Sequence, residues 1–222
     1  MIVLGIETSS RWSGVALASP EGLIGSFHMR EGGRTEHLHV LMVRLLEAAD
    51  LTPESLDGVA VSLGPGSFTG LRIGLGAAKG LALASGCPVA GIPLAPLLAE
   101  EVGSEGGRVA VWIDAGRGEV HQTLFLGGSA LGPGETAAPD DLLARAAGET
   151  ALFVGSGALR YRALIRERLG EAGRIPREER HRPDAGRVAL RGLERLRIGD
   201  GDDPDGLEPL YLRGADAKPP RS

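Results

Sequence analysis

Short apolar runs, each closed by a glycine or a small polar residue, alternate with longer apolar blocks along the first hundred residues. Residues 2–7, 14–18 and 23–29 read as three strands separated by turns at 8–13 and at Pro20-Glu21-Gly22. A helix is expected from about Thr35 to Ala49. Within it, residues 38–49 are apolar except His39, Arg44 and Glu47, too apolar for a helix that covers a core with one face only. A buried-type strand follows at 59–63, then a helix at 71–84, a strand at 88–92 and a short helix at 94–102. The pattern restarts near residue 108. A strand at 109–114 leads through the tight turn 115–118 into a returning strand at 119–126, much as 2–7 leads into 14–18. Both first strands end in a carboxylate, Glu7 and Asp114, followed by small residues. The expectation is an α/β protein of two topologically similar lobes. Residues 1–104 form the first lobe and 105–222 a smaller second one. The polar stretch 199–206 reads as a linker, and the tail from about 207, with Leu210-Tyr211-Leu212-Arg213, is expected to pack back on the first lobe.

Between the strand 59–63 and the helix 71–84 lies Gly64-Pro65-Gly66-Ser67-Phe68-Thr69-Gly70-Leu71-Arg72-Ile73-Gly74. A glycine-rich turn between strand and helix is a common phosphate site, because backbone N–H groups and a helix N-terminus favour anions. This turn fits neither familiar fingerprint. A P-loop needs a lysine after its last glycine, and Leu71 stands there. A dinucleotide turn needs its third glycine one position earlier and an acid about 20 residues on, yet no acid occurs between Asp57 and Glu100. The helix behind the turn carries two rows of small residues, Gly70, Gly74, Ala78, Ala82 and Gly76, Gly80, Ala84. Interior glycines each disfavour a helix by about 0.8–1.0 kcal/mol relative to alanine, so close packing must offset them. The packing partner is either this chain's own helix at 35–49 or another subunit.

Composition narrows the chemistry. The chain has 222 residues, a net charge of −5 and one cysteine, Cys87, which excludes a disulfide framework and cysteine-based zinc clusters. The five histidines form no metal-ligand pair, and no G-x-S-x-G elbow occurs. The charge is uneven: residues 160–197 hold twelve arginines against six acids. That segment either touches nucleic acid or forms a solvated face of alternating charges. Glu7 and Asp114 either flank a cleft and position a metal–phosphate complex or cap their turns. Thr8, Ser9, Ser10, Gly155, Ser156 and Gly157 are candidate phosphate or ribose contacts. No signal peptide or bilayer-spanning run is evident, so a cytoplasmic protein with no membrane association is expected.

The glycine signature, with Ile6-Glu7-Thr8-Ser9-Ser10, His37 before an apolar helix, Ile113-Asp114-Ala115-Gly116-Arg117-Gly118-Glu119-Val120, Gly155-Ser156-Gly157 and Tyr211-Leu212-Arg213, resembles the TsaB (YeaZ) family across nearly the whole chain. That family is the non-catalytic part of the bacterial machinery for threonylcarbamoyladenosine in tRNA. The resemblance implies a two-lobed actin/hexokinase-type ATPase (ribonuclease H-like) fold with a reduced second lobe. It implies a scaffold or activator that binds a TsaD-type catalytic paralogue and supports threonylcarbamoyl transfer to the adenosine next to the anticodon. A TsaE-like ATPase joins them, tRNA is reached through the complex, and the chain alone forms a homodimer. ATP and a metal ion are expected to be held mainly by the partner subunits, with no catalytic residue here. Glu7, Thr8, Ser9, Ser10, Gly64, Gly66, Ser67 and Asp114 are then nucleotide-proximal positions. His37, Leu38, Leu41, Met42, Leu45, Gly70, Leu71, Gly74, Leu75, Ala78 and Ala82 are the implied partner interface. Glu7 stands where aspartate is commoner, and the paralogue's paired-histidine metal motif is missing after the strand at 88–92. The alternative is a small-molecule kinase or ATPase of the same superfamily.

Overall fold

The computed structural model describes residues 1–30, 37–103, 107–146 and 148–212. The first sheet is built from β1 (Val3–Glu7), β2 (Trp12–Ser19), β3 (Gly22–Arg30), β4 (Gly58–Gly64) and β5 (Val89–Pro93), in the order β3-β2-β1-β4-β5. The β1–β2 and β2–β3 pairs are antiparallel, whereas β4 lies parallel to both β1 and β5. Its helices are α1 (Leu38–Ala48) and α2 (Phe68–Ser85) on one face.

The two faces of this sheet are chemically different, because side chains alternate along each strand. Leu4, Ile6, Val15, Leu17, Val59 and Val61 point into one core with α1 and α2. Val3, Ala16, Ala18 and Ala60 point into another. The helix α7 (Ala185–Arg197) covers that second face through Ala185, Val188, Ala189 and Leu193. The small residues allow a close approach. A Cβ at Gly192 would collide with Ala60, and one at Gly5 with the backbone of α7 at Ala185 and Ala189. Asp184 caps α7, its carboxylate accepting from the Arg187 N–H at 3.0 Å.

The second sheet repeats the plan. Its strands are β6 (Arg108–Gly116), β7 (Glu119–Leu126), β8 (Ser129–Ala130), β9 (Glu135–Ala137), β10 (Ala151–Val154) and β11 (Gly173–Arg174). They run β11-β10-β6-β7-β8, with β9 also on β7. As in the first sheet, an antiparallel hairpin, β6–β7, is extended by parallel strands on the other side of β6. The helices α4 (Pro139–Arg145), α5 (Ser156–Arg160) and α6 (Arg162–Leu169) pack on one face around Trp112 and Phe153, whose rings meet edge to face at 5.2 Å. The expected two-lobed α/β architecture is the one observed.

Two helices pack across the expected division into segments 1–104 and 105–222. The helix α3 (Leu94–Val102), inside the expected first lobe, buries Leu94, Ala95, Leu98 and Ala99 against β6 and Phe125 of the second sheet. Its Leu97 turns the other way, into the cluster around α7. Conversely α7, inside the expected second lobe, is the cover of the first sheet. Each lobe lends the other a helix because an apolar helix face must be buried wherever an uncovered sheet face lies. The expected boundary at 104/105 itself falls outside the described residues, as do Thr35 and Arg213.

The tail runs along the first lobe. Asp202 N–H donates to the Val89 carbonyl at 2.8 Å, and Asp202 Oδ2 accepts from Gly91 N–H at 2.7 Å. Arg195 holds that aspartate from α7. Leu210 N–H donates to the Leu63 carbonyl at 2.8 Å, and Leu207 joins the core shared by α1 and α2. Tyr211 ends on the first turn of α2, where its hydroxyl accepts from Arg72 Nε at 2.9 Å and its ring lies 5.1 Å from that of Phe68.

Candidate functional site

Two loci bring the sequence candidates together. The first is the turn between β1 and β2, which the glycine signature meets. Gly64, with a φ of +92°, ends β4, and Ser67 caps α2 by accepting from the Gly70 N–H at 3.2 Å. The start of α2 is then seated directly on residues 8 and 9. Ser67 N–H donates to the Ser9 carbonyl at 2.7 Å, and the Thr8 hydroxyl donates to the Gly70 carbonyl at 2.8 Å. A Cβ at Gly66 would strike the Ser9 carbonyl oxygen, and one at Gly70 the Thr8 carbonyl oxygen. The signature glycines therefore serve a backbone-to-backbone contact inside the chain.

Several groups of this turn are engaged within the chain, although Ser9 Oγ has no hydrogen-bond partner among the described residues. Ser9 N–H donates to Glu7 Oε1 at 2.5 Å, and Trp12 N–H donates to Ser10 Oγ at 3.1 Å. Thr8 and Ser9 are buried, and Ser10 is half-buried. A phosphate cradle needs open N–H groups around empty space, and the start of α2, packed on the Thr8 and Ser9 carbonyls, leaves no such space at Gly66 and Gly70. Asp114 is equally committed. Its Oδ1 accepts from Gly116 N–H at 3.0 Å, closing the β6–β7 turn, and its Oδ2 is held by Arg160 at 2.6 Å. Its backbone N–H donates to Ser156 Oγ at 3.1 Å. Gly155 and Gly157 let α5 lie against Trp112, and His181 fastens the same loop. Gly155 N–H donates to His181 Nδ1 at 3.1 Å, while Nε2 faces the Pro176 carbonyl at 3.1 Å, which the Nε2-protonated tautomer satisfies. Burial lowers the His181 pKa, favouring this neutral form.

Glu7 is 1% exposed, and its Oε2 has no hydrogen-bond partner among the described residues. Burial raises its pKa above the ordinary carboxylate value, against the opposing pull of donors on Ser9 and Ser62; the charge of Asp184 adds to the rise. The folded protein thus keeps this proton over a pH range in which the unfolded chain has lost it. The stability that Glu7 contributes is full below its unfolded value of 4.5 and is lost as pH rises through the folded one. Glu7→Gln retains an acceptor for Ser9 and removes the titration. Urea unfolding of both proteins between pH 4.5 and 8 is expected to show the glutamine variant gaining on the wild type as pH rises. A constant difference over that range would contradict the buried carboxyl.

The second locus is the outer face of α1 and α2. Here the structure divides the residues of the implied interface by burial. Leu38, Leu41, Leu45, Gly70, Leu71, Gly74, Leu75, Ala78 and Ala82 are buried in the chain's own core; Met42 is half-buried and His37 exposed. The residues that face outward are their neighbours: Val40 and Val43 on α1, and Phe68, Arg72, Gly76, Gly80 and Leu83 on α2. Leu83 is 87% exposed, and a Cβ at Gly76 or Gly80 would meet nothing. The sequence signal was the second row of small residues, Gly76, Gly80 and Ala84. Choosing between the rows requires knowing which one the sheet covers. Among the described residues no cluster of three or more His, Cys, Asp or Glu side chains could hold a metal ion, and no helix is long and apolar enough to cross a membrane.

A family model for TsaD, tRNA N6-adenosine threonylcarbamoyltransferase, matches residues 33–131. The tRNA threonylcarbamoyladenosine biosynthesis protein TsaB of Bacillus subtilis (strain 168) is 29% identical over 228 residues, covering 98% of this chain and 96% of that protein. YeaZ from Pseudomonas aeruginosa superposes with a TM-score of 0.77 at 26% identity, over 95% of this chain and 99% of its own. This chain belongs to the TsaB/YeaZ family. More distant neighbours establish the fold alone. One is the activator of the 2-hydroxyisocaproyl-CoA dehydratase from Clostridium difficile with bound ADPNP, at a TM-score of 0.56 and 12% identity over 90% of this chain and 97% of that one. The architecture of this TsaB/YeaZ chain is thus that of the actin/hexokinase-type ATPases, with α2 seated on the turn between β1 and β2.

Proposed function

We propose that this chain is a non-catalytic scaffold and activator in tRNA threonylcarbamoyladenosine biosynthesis, the process to which its family belongs. In this reading it pairs with a TsaD-type catalytic paralogue and supports threonylcarbamoyl transfer to the adenosine next to the anticodon. The observation that carries the reading is the outward row on α1 and α2. Surface-exposed glycines in a helix interior are costly in isolation, and an 87%-exposed leucine beside them gains only when covered. A second helix pair laid across this row gains close backbone approach and apolar burial together.

Two further points support it. The TsaD family model matches the segment that contains α1 and α2, so a paralogue offers an equivalent face for a pseudo-twofold pairing. The same face serves a homodimer when the chain is alone. The turn at Thr8 and Ser9, closed by the chain's own helix, is a poor nucleotide cradle, so ATP and a metal ion belong mainly to the partners, a TsaE-like ATPase among them. A cytoplasmic location is part of the same reading. The test is to mix the chain with its TsaD-type paralogue, with and without ATP, and to follow complex size and threonylcarbamoyl transfer to tRNA. A stable heteromeric complex and transfer that requires both chains are expected. Transfer by the paralogue alone at the full rate, or no complex, would contradict the proposal.

A further inference from the structure

The arginine-rich segment 160–197 divides sharply once its contacts are known. Arg160, Arg168, Arg180, Arg182, Arg187, Arg191 and Arg195 each face a carboxylate within ion-pair distance. These seven form the solvated, self-compensated face that alternating charges produce. Among the described residues the remaining five have no such partner, and three of them, Arg162, Arg166 and Arg177, line one surface hollow of about 370 Å³. Arg162 and Arg166 are four residues apart on α6, so two like charges share one helix face with no acid between them to relieve the repulsion. Arg162 Nε is shielded from solvent and has no hydrogen-bond partner. A buried, unmatched guanidinium donor is costly to keep without an acceptor.

Two acids, Glu178 and Glu179, also line the hollow, which leaves its arginines in excess by one charge. Glu178 is held by Arg182 at 3.3 Å, outside the arginine trio. The hollow therefore presents three uncommitted guanidinium groups from two elements that converge, α6 and the loop before the turn at Glu178–His181. Planar forks on several sides of a shallow depression match the tetrahedral oxygens of a phosphate group and exceed what one carboxylate needs.

We infer that this hollow on the second lobe binds a backbone phosphate of RNA, giving the chain a direct contact with the tRNA whose modification it supports. The choice of RNA as the source of the phosphate rests on the function proposed above. The hollow is shallow and open, as suits one phosphodiester of a long strand tracking over the surface. It lies on the α6 side of the second sheet, built from elements other than α1 and α2, so tRNA contact and pairing with a paralogue use separate surfaces.

The test removes exposed charges only, so that the fold is left alone. Arg166→Gln/Arg177→Gln takes two guanidinium groups from the hollow. Arg174→Gln/Arg197→Gln takes two equally unpaired ones from outside it and matches the change in net charge. Affinity for unmodified tRNA is measured by fluorescence anisotropy over a salt series, for the chain alone and mixed with its paralogue. Sizing of the same samples reports pairing separately. The first variant is expected to bind tRNA at least tenfold more weakly, with a salt slope shallower by about 0.7–0.9, the loss of one phosphate contact, and to pair as the wild type does. The second is expected to lose less than threefold. Equal losses in the two variants, or no measurable binding of tRNA by the wild type, would overturn the inference. So would inorganic phosphate or ATP binding that is lost in Arg166→Gln/Arg177→Gln while tRNA affinity stays unchanged. Failure of the wild type to pair would strike the scaffold proposal instead and leave the tRNA comparison readable on the chain alone.

Discussion

Alanine at Gly70 is expected to destabilise the protein by about 3 kcal/mol, the upper end of what overpacking costs, whereas alanine at Gly76 stabilises it by about 0.8–1.0 kcal/mol. Both residues lie in α2, six positions apart, and intrinsic helix propensity favours the change equally at each. The difference is the surroundings. A Cβ at Gly70 would run into the Thr8 carbonyl oxygen, a backbone atom at the end of the central strand that cannot rotate aside. The first turn of α2 would have to lift, breaking the Thr8 hydroxyl bond to the Gly70 carbonyl and the Ser67 bond to the Ser9 carbonyl. At Gly76 the added methyl meets nothing within the chain, so at concentrations low enough to keep the chain monomeric only the gain from lower backbone entropy in the unfolded chain remains. For a chain of this size about 1 kcal/mol moves Tm by roughly 2–4 °C. Thermal melts should therefore separate the two variants by on the order of 10 °C, with opposite signs relative to the wild type. A neutral Gly70→Ala would mean that α2 is not seated on the turn between β1 and β2.

Leucine-to-arginine changes on the same helix are expected to part in the same way. Leu83→Arg alters a side chain that is 87% exposed, and its effect on folding should stay within about 0.5 kcal/mol. If the outer face of α1 and α2 is the pairing surface, that arginine must be desolvated without a partner on association. Burying an unpaired charge costs several kcal/mol, so binding to the TsaD-type paralogue should weaken by at least a hundredfold. Leu75→Arg makes the opposite test. Leu75 is 7% exposed and packs in the core with Leu41, Leu45 and Val61, so the variant should fail to fold. Circular dichroism and sizing of each variant with the paralogue read both outcomes. A folded Leu83→Arg that pairs normally would remove this face from the interface. A folded Leu75→Arg that loses only pairing would restore the inner row.

The strands, their turns and the restart near residue 108 were legible because each is a local pattern. Apolar runs of five or six residues between glycine and proline punctuation leave few alternatives, and the order of strand types carried the two-lobed architecture. The glycine signature was legible as a tight strand-to-helix junction, and the absence of a lysine or a downstream acid argued against a phosphate cradle before any contact was known. Helix ends were less sharp. The expected 71–84 became Phe68–Ser85 because the Ser67 hydroxyl caps the helix one turn earlier.

What the chain's own sequence determined, then, was the kind of each element and the family to which they add up. The side of α2 that faces the sheet was decided only in three dimensions. Both small-residue rows are equally plausible seams by spacing, and the choice falls to the row whose first glycine can sit on the Thr8 carbonyl. The exchange of α3 and α7 between lobes was likewise invisible, because burial of an apolar helix face depends on which sheet surface is left bare, a property of the assembled fold. The same holds for the arginines of 160–197. Their number and spacing suit a solvated face, and seven of them form one. Ion pairing is a matter of distance through space, so only the packed chain sets Arg162, Arg166 and Arg177 apart.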